Sequence, residues 1–308
     1  MSAPLRDSVK KRIIRSFCAS KTIAWAGFNL APLLDGLYEW PNDEFTVNYF
    51  GSKYEGKIDG ISDWMIYHFG DSDSSVTSFV REIVSFVKYN TSQPFSCYDI
   101  GANRGDFSLK IAGIMDSIVA IEQSASRYSQ LRKNIGLSRL ENIKTFNIRL
   151  GGDHQNAAWP AHGLMKNRVG FPPCGSADKK PTSYPIEPEG SDVFVESNGL
   201  QPPDLIRING GGDCLATIRW LGPVLDSAQP IVMIERPPPL EAAGVGEAGL
   251  RSALYEDAKL YSLSGSARQK DFKLDRFSPS ARRIVCYPRK INRMIEQNVC
   301  KMKGLRFI

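Results

Sequence analysis

The 308-residue sequence predicts an α/β protein, a doubly wound and mostly parallel seven-stranded sheet with an N-terminal helical and β-hairpin extension. Short apolar runs alternate with segments of helical spacing from residue 95 to 150 and again from 204 to 258. The first of those runs ends in a glycine turn and the second in an acid, as in a βαβ unit that holds a nucleoside.

The extension covers residues 1–90. Residues 5–21 read as a basic helix and 22–40 as a mixed apolar segment ending at Trp40-Pro41. Phe45 to Phe50 alternates, turns at Gly51 and returns through Lys53 to Gly56, which is a hairpin signal. Asp63 to Gly70 is aromatic and fits helix or strand equally. Val76, Phe79, Val80, Ile83, Val84 and Val87 form one stripe and predict an amphipathic helix over 76–89.

The α/β domain spans residues 91–290. Its strands are expected at 95–100, 117–122, 142–150, 204–209, 230–235, 260–263 and 283–287. Helices are expected at 105–115, 124–137, 214–225 and 250–258. Strands that alternate with helices of this length imply right-handed crossovers and a parallel sheet. Residues 151–203 break the rhythm, being rich in proline and glycine, and read as a long loop insertion. Residues 291–308 form a basic C-terminal tail.

The stretch around which the chain is organised is Phe-Ser-Cys-Tyr-Asp-Ile-Gly-Ala-Asn-Arg-Gly-Asp-Phe, residues 95–107. Strand, glycine turn and helix start place backbone N–H groups and a positive helix end beside a ligand. Gly101 is expected to turn the chain and leave room for a cofactor, and Gly105 to let the helix start pack tightly. Glu122 lies 23 positions after Asp99, where an acid meets ribose hydroxyls. Asn103 holds the position of the middle glycine of a dinucleotide fingerprint, which argues against NAD. Asp99 instead suits a ligand with an ammonium group, such as S-adenosylmethionine. An ordinary βα turn capped by Asn103 or Asp106 also fits these residues.

Tyr98-Asp99-Ile100-Gly101-Ala102-Asn103-Arg104-Gly105 resembles the Asp-x-Gly-Ala-Asn-x-Gly motif of the FkbM-type S-adenosylmethionine-dependent methyltransferases. Val119 to Ser124 is similar to that family's next signature, and the resemblance runs from about Phe45 to Pro288. It implies a class I, Rossmann-like methyltransferase fold and S-adenosylmethionine as cofactor. The cofactor would be held by Asp99, Gly101, Ala102, Asn103, Gly105, Glu122 and Gln123. It also implies a hydroxyl on a small metabolite, sugar or glycan as the methyl acceptor.

The chain departs from the family in two places. Gly70-Asp71-Ser72-Asp73 lacks the glutamate of the usual Gly-x-Tyr-Glu. Ile206-Arg207-Ile208-Asn209-Gly210-Gly211-Gly212-Asp213 stands where Ile-Lys-Ile-Asp-Val-Glu-Gly-x-Glu is usual. Asn209 can hydrogen-bond but cannot take a proton at neutral pH. Asp213 supplies either a displaced carboxylate or a helix cap. His154, next to Asp153, titrates near neutrality and is the candidate base. Together with Asn209 and Asp213 it makes up the candidate catalytic set. Glu235 either lines the acceptor pocket or pairs with Arg207 or Arg236. These departures leave open a non-catalytic module built on a methyltransferase fold.

Composition narrows the rest. Six scattered cysteines without Cys-x-x-Cys pairs and three separated histidines argue against zinc and for free thiols in the cytoplasm. No apolar run reaches the roughly 20 residues of a membrane span. Residues 1–21 hold six Lys/Arg against one acid, and residues 268–308 hold twelve against three, so the middle is net acidic. A solvated basic surface accounts for these ends better than peripheral membrane contact. Nucleic acid is not expected as a partner, because no base-flipping Asn-Pro-Pro-Tyr motif is present.

Overall fold

The computed structural model describes residues 44–57, 61–71, 73–150, 190–209, 214–235, 247–255, 257–265, 272–278 and 280–298. The chain divides into two compact units, residues 1–72 with 160–179, and residues 73–159 with 180–308.

In the first unit, β1 (Glu44–Tyr49) and β2 (Ser52–Lys57) form an antiparallel hairpin. Phe50 and Gly51 both take positive φ, the turn whose twist matches paired strands. Alternation puts Phe45, Tyr49 and Tyr54 on the buried face, and Phe45 meets Tyr67 of α1 (Ile61–Phe69) edge-on. The Tyr54 hydroxyl donates to Asp63 at 2.7 Å, which gives a buried carboxylate its partner. The ambiguous 63–70 stretch is therefore helical up to Phe69.

The second unit opens with α2 (Ser74–Thr91), whose expected stripe is buried from Val76 to Val87. Asp73 caps it by accepting from the Val76 amide at 3.3 Å. The α/β repeat follows as β3 (Ser96–Ile100), α3 (Asp106–Ile111), β4 (Ser117–Ile121), α4 (Ala125–Ser138) and β5 (Ile143–Phe146). Next come α5 (Ser191–Ser197), β6 (Leu205–Asn209), α6 (Cys214–Trp220), α7 (Gly222–Ala228) and β7 (Ile231–Glu235). The unit closes with α8 (Glu247–Leu254), β8 (Lys259–Ser264), β9 (Lys273–Arg276), β10 (Arg283–Tyr287) and α9 (Arg289–Asn298).

The sheet order is β5-β4-β3-β6-β7-β10-β8-β9. Strands β3 to β7 are mutually parallel, and β10 runs antiparallel to both of its neighbours. This is a mostly parallel, Rossmann-like sheet, with β10 reversed between β7 and β8 and β9 reversed at the edge. Helices α2, α3, α4 and α9 supply the core on one face, and α5 to α8 supply it on the other.

Several expectations are corrected. The sheet has eight strands rather than seven, because β9 adds itself to the edge in a charged segment where only Leu274 is buried. The strand expected over 142–150 ends at Phe146, where the Asn147 side chain turns to bond the neighbouring chain end. The single helix expected over 214–225 is two, because Pro223 restarts it in the first turn of α7. The end of the 151–203 insertion folds into α5, and the helix expected over 250–258 begins three residues earlier.

Candidate functional site

An open parallel sheet presents its ligand site at the carboxyl ends of its strands. There the chain leaves β3 through Gly101 to Gly105. The amides of Gly101 and Ala102 both donate to the Ile121 carbonyl, at 2.8 and 2.9 Å, and Gly105 N donates back to Ala102 O at 2.9 Å. Asn103, at φ 56, turns its amide onto Glu122 Oε2 at 2.7 Å. Glu122 Oε1 accepts from the Ser124 amide at 2.8 Å, just where Ser124 caps α4. One carboxylate thus ties the end of β4 to the turn after β3.

Two asparagines fix this cradle from behind. Buried Asn134 of α4 donates to the Arg104 carbonyl at 2.8 Å. Asn147 donates to the carbonyls of Glu122 and Gln123 at 2.7 and 3.2 Å. Gly101 is required by its φ of 77° and by the close approach of β6: a Cβ would run into the Asn209 carbonyl oxygen. The expected sharp turn is present in that φ, and the close approach of β6 is a further reason for glycine that the sequence did not show. A Cβ on Gly105 would lie 2.7 Å from Leu131 Cδ1, and there the expected tight helix packing is the cause. The cap of α3 is Gly105, with no side-chain bond, rather than Asn103 or Asp106.

Beneath the cradle the three central strand ends are tied by charge. Asp99 is fully buried and faces inward: its Oδ1 accepts from Arg207 Nη1 at 2.7 Å and its Oδ2 from the Ser108 hydroxyl at 2.6 Å. Arg207 Nε donates to Glu235 Oε1 at 2.6 Å, and its guanidinium lies 4.3 Å over the Phe107 ring. Of the two roles open to Glu235, pairing with Arg207 is the one observed. Burial pushes the Asp99 carboxyl upward, against the pull of Arg207 and Ser108. For Arg207, burial alone would lower the pKa, but Glu235 and Asp99 together hold it above its ordinary value. Burial also raises Glu122, opposed by the Ser124 amide, Arg127 and the Asn103 amide.

The structure brings Gly101, Ala102, Asn103, Gly105 and Glu122 into one hydrogen-bonded turn, with Gln123 held beside it through its carbonyl. Asn209 joins them weakly, its Nδ2 lying 3.4 Å from the Gly101 carbonyl. His154 and Asp213 lie outside the described residues. Arg207 was visible in sequence only as a possible partner for Glu235. An arginine in the middle of the apolar strand Leu-Ile-Arg-Ile-Asn is itself a signal that buried carboxylates lie nearby. Asn134 and Asn147 carried no such signal. An open groove of about 360 Å³ among Arg251, Lys259, Tyr261, Arg276 and Phe277 lies at the start of β8, far along the sheet from the cradle.

The Glu122 carboxylate, an acceptor, fits the hydroxyl donors of a ribose diol. A carboxylate offers about four lone-pair directions. The two amides take one on each Glu122 oxygen, and one on each remains for a ribose diol.

No protein-family model matches the chain, and no curated protein sequence matches it. Solved structures give distant likenesses. The FkbM methyltransferase of Methylobacillus flagellatus KT is 12% identical, with a TM-score of 0.39, over 67% of this chain and 48% of that one. This chain thus spans about half of that enzyme's length. A SAM-dependent methyltransferase from Agrobacterium tumefaciens is 9% identical, with a TM-score of 0.42, over 81% and 71%. The precorrin-6y C5,15-methyltransferase of Geobacter metallireducens GS-15 is 15% identical, with a TM-score of 0.36, over 67% and 88%. Likeness this distant decides no activity.

Proposed function

We propose that the chain is an S-adenosylmethionine-dependent methyltransferase of the cytoplasm, acting on a hydroxyl of a small metabolite, sugar or glycan. The observation that carries this reading is the Glu122 carboxylate, joined to the glycine turn through the Asn103 amide at 2.7 Å in a sheet of class I strand order. The cofactor, when bound, supplies an electrophilic methyl group. The chain's own residues do the rest. Glu122 takes the ribose diol, Gln123 reaches the adenosine, and the 101–105 turn borders the methionine end. Asn209 can orient an acceptor but not deprotonate it, and Glu235 is engaged by Arg207. The proton therefore falls to His154, oriented by Asp153, with Asp213 as the other carboxylate in the set. Positioning of acceptor against sulfonium accounts for most of the rate.

Calorimetric titration of the full chain with S-adenosylmethionine and S-adenosylhomocysteine tests this reading. Wild type is expected to bind both, and Glu122→Ala to bind at least about tenfold more weakly, because hydrogen bonds to a charged group are lost. His154→Ala is expected to keep cofactor affinity and to lose methyl transfer by about 100-fold. Failure of folded wild type to bind either ligand overturns the proposal. Binding without transfer to any of a broad panel of hydroxyl acceptors assigns the chain to the non-catalytic module instead.

A further inference from the structure

Asp99 stands where the motif promises a contact to an ammonium group, yet its side chain lies under a helix. Residues alternate along β3, so Tyr98 and Ile100 face one core and Cys97 the other, the one covered by α2, α3, α4 and α9. Asp99 shares the face of Cys97. It is wholly buried, and each of its oxygens accepts from one donor, Arg207 Nη1 at 2.7 Å and Ser108 Oγ at 2.6 Å. Ser108 and Phe107 belong to the first turn of α3, and Arg207 lies 4.3 Å over the Phe107 ring. The ion pair thus grips α3 from beneath at two adjacent residues. That grip matters, because α3 is six residues long and Gly105 starts it without a side-chain cap. Gly105 also closes the 101–105 turn by donating to the Ala102 carbonyl at 2.9 Å, so the seat of α3 sets the shape of the turn.

We propose that Asp99 is a positioning residue rather than a ligand of the cofactor's amine: with Arg207 and Ser108 it seats α3, and through α3 it fixes the turn that borders the cofactor. This inference rests on the methyltransferase reading and changes how one motif residue serves it. A carboxylate buried under a helix cannot reach an ammonium group without giving up a partner it already has. The affinity it supplies is therefore common to every ligand that fills the adenosine cradle, with or without an amino-acid end.

Calorimetry on the full chain with two ligands separates the roles. S-adenosylhomocysteine carries the amine, and 5′-methylthioadenosine keeps the nucleoside and the sulfur without it. Wild type is expected to bind both, and binding of S-adenosylhomocysteine alone overturns the inference. Asp99→Asn, which keeps the shape and removes the charge, is expected to weaken both ligands by the same factor, about tenfold, the scale of one charge-assisted hydrogen bond. Ser108→Ala leaves the Asp99–Arg207 pair in place and is expected to weaken both by about threefold. It carries the test alone should Asp99→Asn fail to fold. A loss confined to S-adenosylhomocysteine, in either variant, places Asp99 at the amine and overturns the inference. A merely structural role would lower the unfolding midpoint and leave both affinities of the folded variant unchanged, which overturns it equally. Each of these results leaves the methyltransferase reading standing. Wild type that binds neither ligand overturns that reading, and the inference with it.

Discussion

The two edges of the main sheet use the same residue type at very different cost. At the amino edge, Asp204 accepts from the Ser96 amide and hydroxyl at 2.9 and 3.2 Å. Asp116 there accepts from the Phe95 amide at 2.7 Å and from Lys88 at 2.6 Å. Asp116 is exposed, water solvates its charge, and its hydrogen bonds start a strand at little expense. At the carboxyl edge, Asp99, Glu122 and Glu235 are buried, and each is held by specific hydrogen-bond partners. Acids at the first edge organise the backbone. Acids at the second tie one strand end to the next, Asp99 and Glu235 through Arg207 and Glu122 through the turn after β3.

The sharpest way to break this comparison is Arg207→Met. It leaves Asp99 and Glu235 buried without their shared cation, and the expected loss is about 3–5 kcal/mol in urea unfolding. The triple change Asp99→Asn, Arg207→Met, Glu235→Gln is expected to restore most of that loss, because the charges leave together. A single variant that unfolds at the wild-type midpoint would mean the cluster is solvated, and the contrast between the edges would vanish.

A second test concerns backbone rather than charge. Gly101→Ala places a Cβ against the Asn209 carbonyl at a left-handed φ, with an expected loss of about 2–4 kcal/mol. Gly113, where a Cβ would meet nothing, is the control, and alanine there should fall within about 0.5 kcal/mol of wild type. Equal effects at the two glycines would remove the case that β3 and β6 are held in close approach at the cradle.

The cradle was legible in the sequence because its determinants are local. Gly101, Gly105 and Glu122 sit at spacings fixed by one βαβ unit. The charge cluster was not legible, because Asp99 and Arg207 are 108 positions apart and meet only through strand pairing. The same holds for Asn134 and Arg104, which meet across a crossover. β9 was missed for a different reason: an edge strand buries one side chain in four, and its pattern reads as a charged loop.

The smallest expected effect separates the edges by pH. Hydrogen bonding to Lys88, helped by the Phe95 amide, holds the Asp116 pKa below its ordinary value of 3.8 despite some desolvation. A lowered carboxylate pKa adds stability above the unfolded value, and that stability is lost as pH falls through the folded one. The Asp116 side chain is 47% exposed, so the contribution is under about 1 kcal/mol after solvent screening. Asp116→Asn should thus be slightly less stable than wild type at neutral pH, with the gap closing below about pH 4. Glu122 behaves in the opposite sense. Burial raises it from 4.5, so its favourable contribution is present at low pH and is lost as pH rises through the raised value. The stability of Glu122→Gln relative to wild type should therefore climb with rising pH, where that of Asp116→Asn falls. Denaturant midpoints from pH 3 to 8 read both slopes, and slopes of the same sign would mean that the two edges hold their acids in the same way.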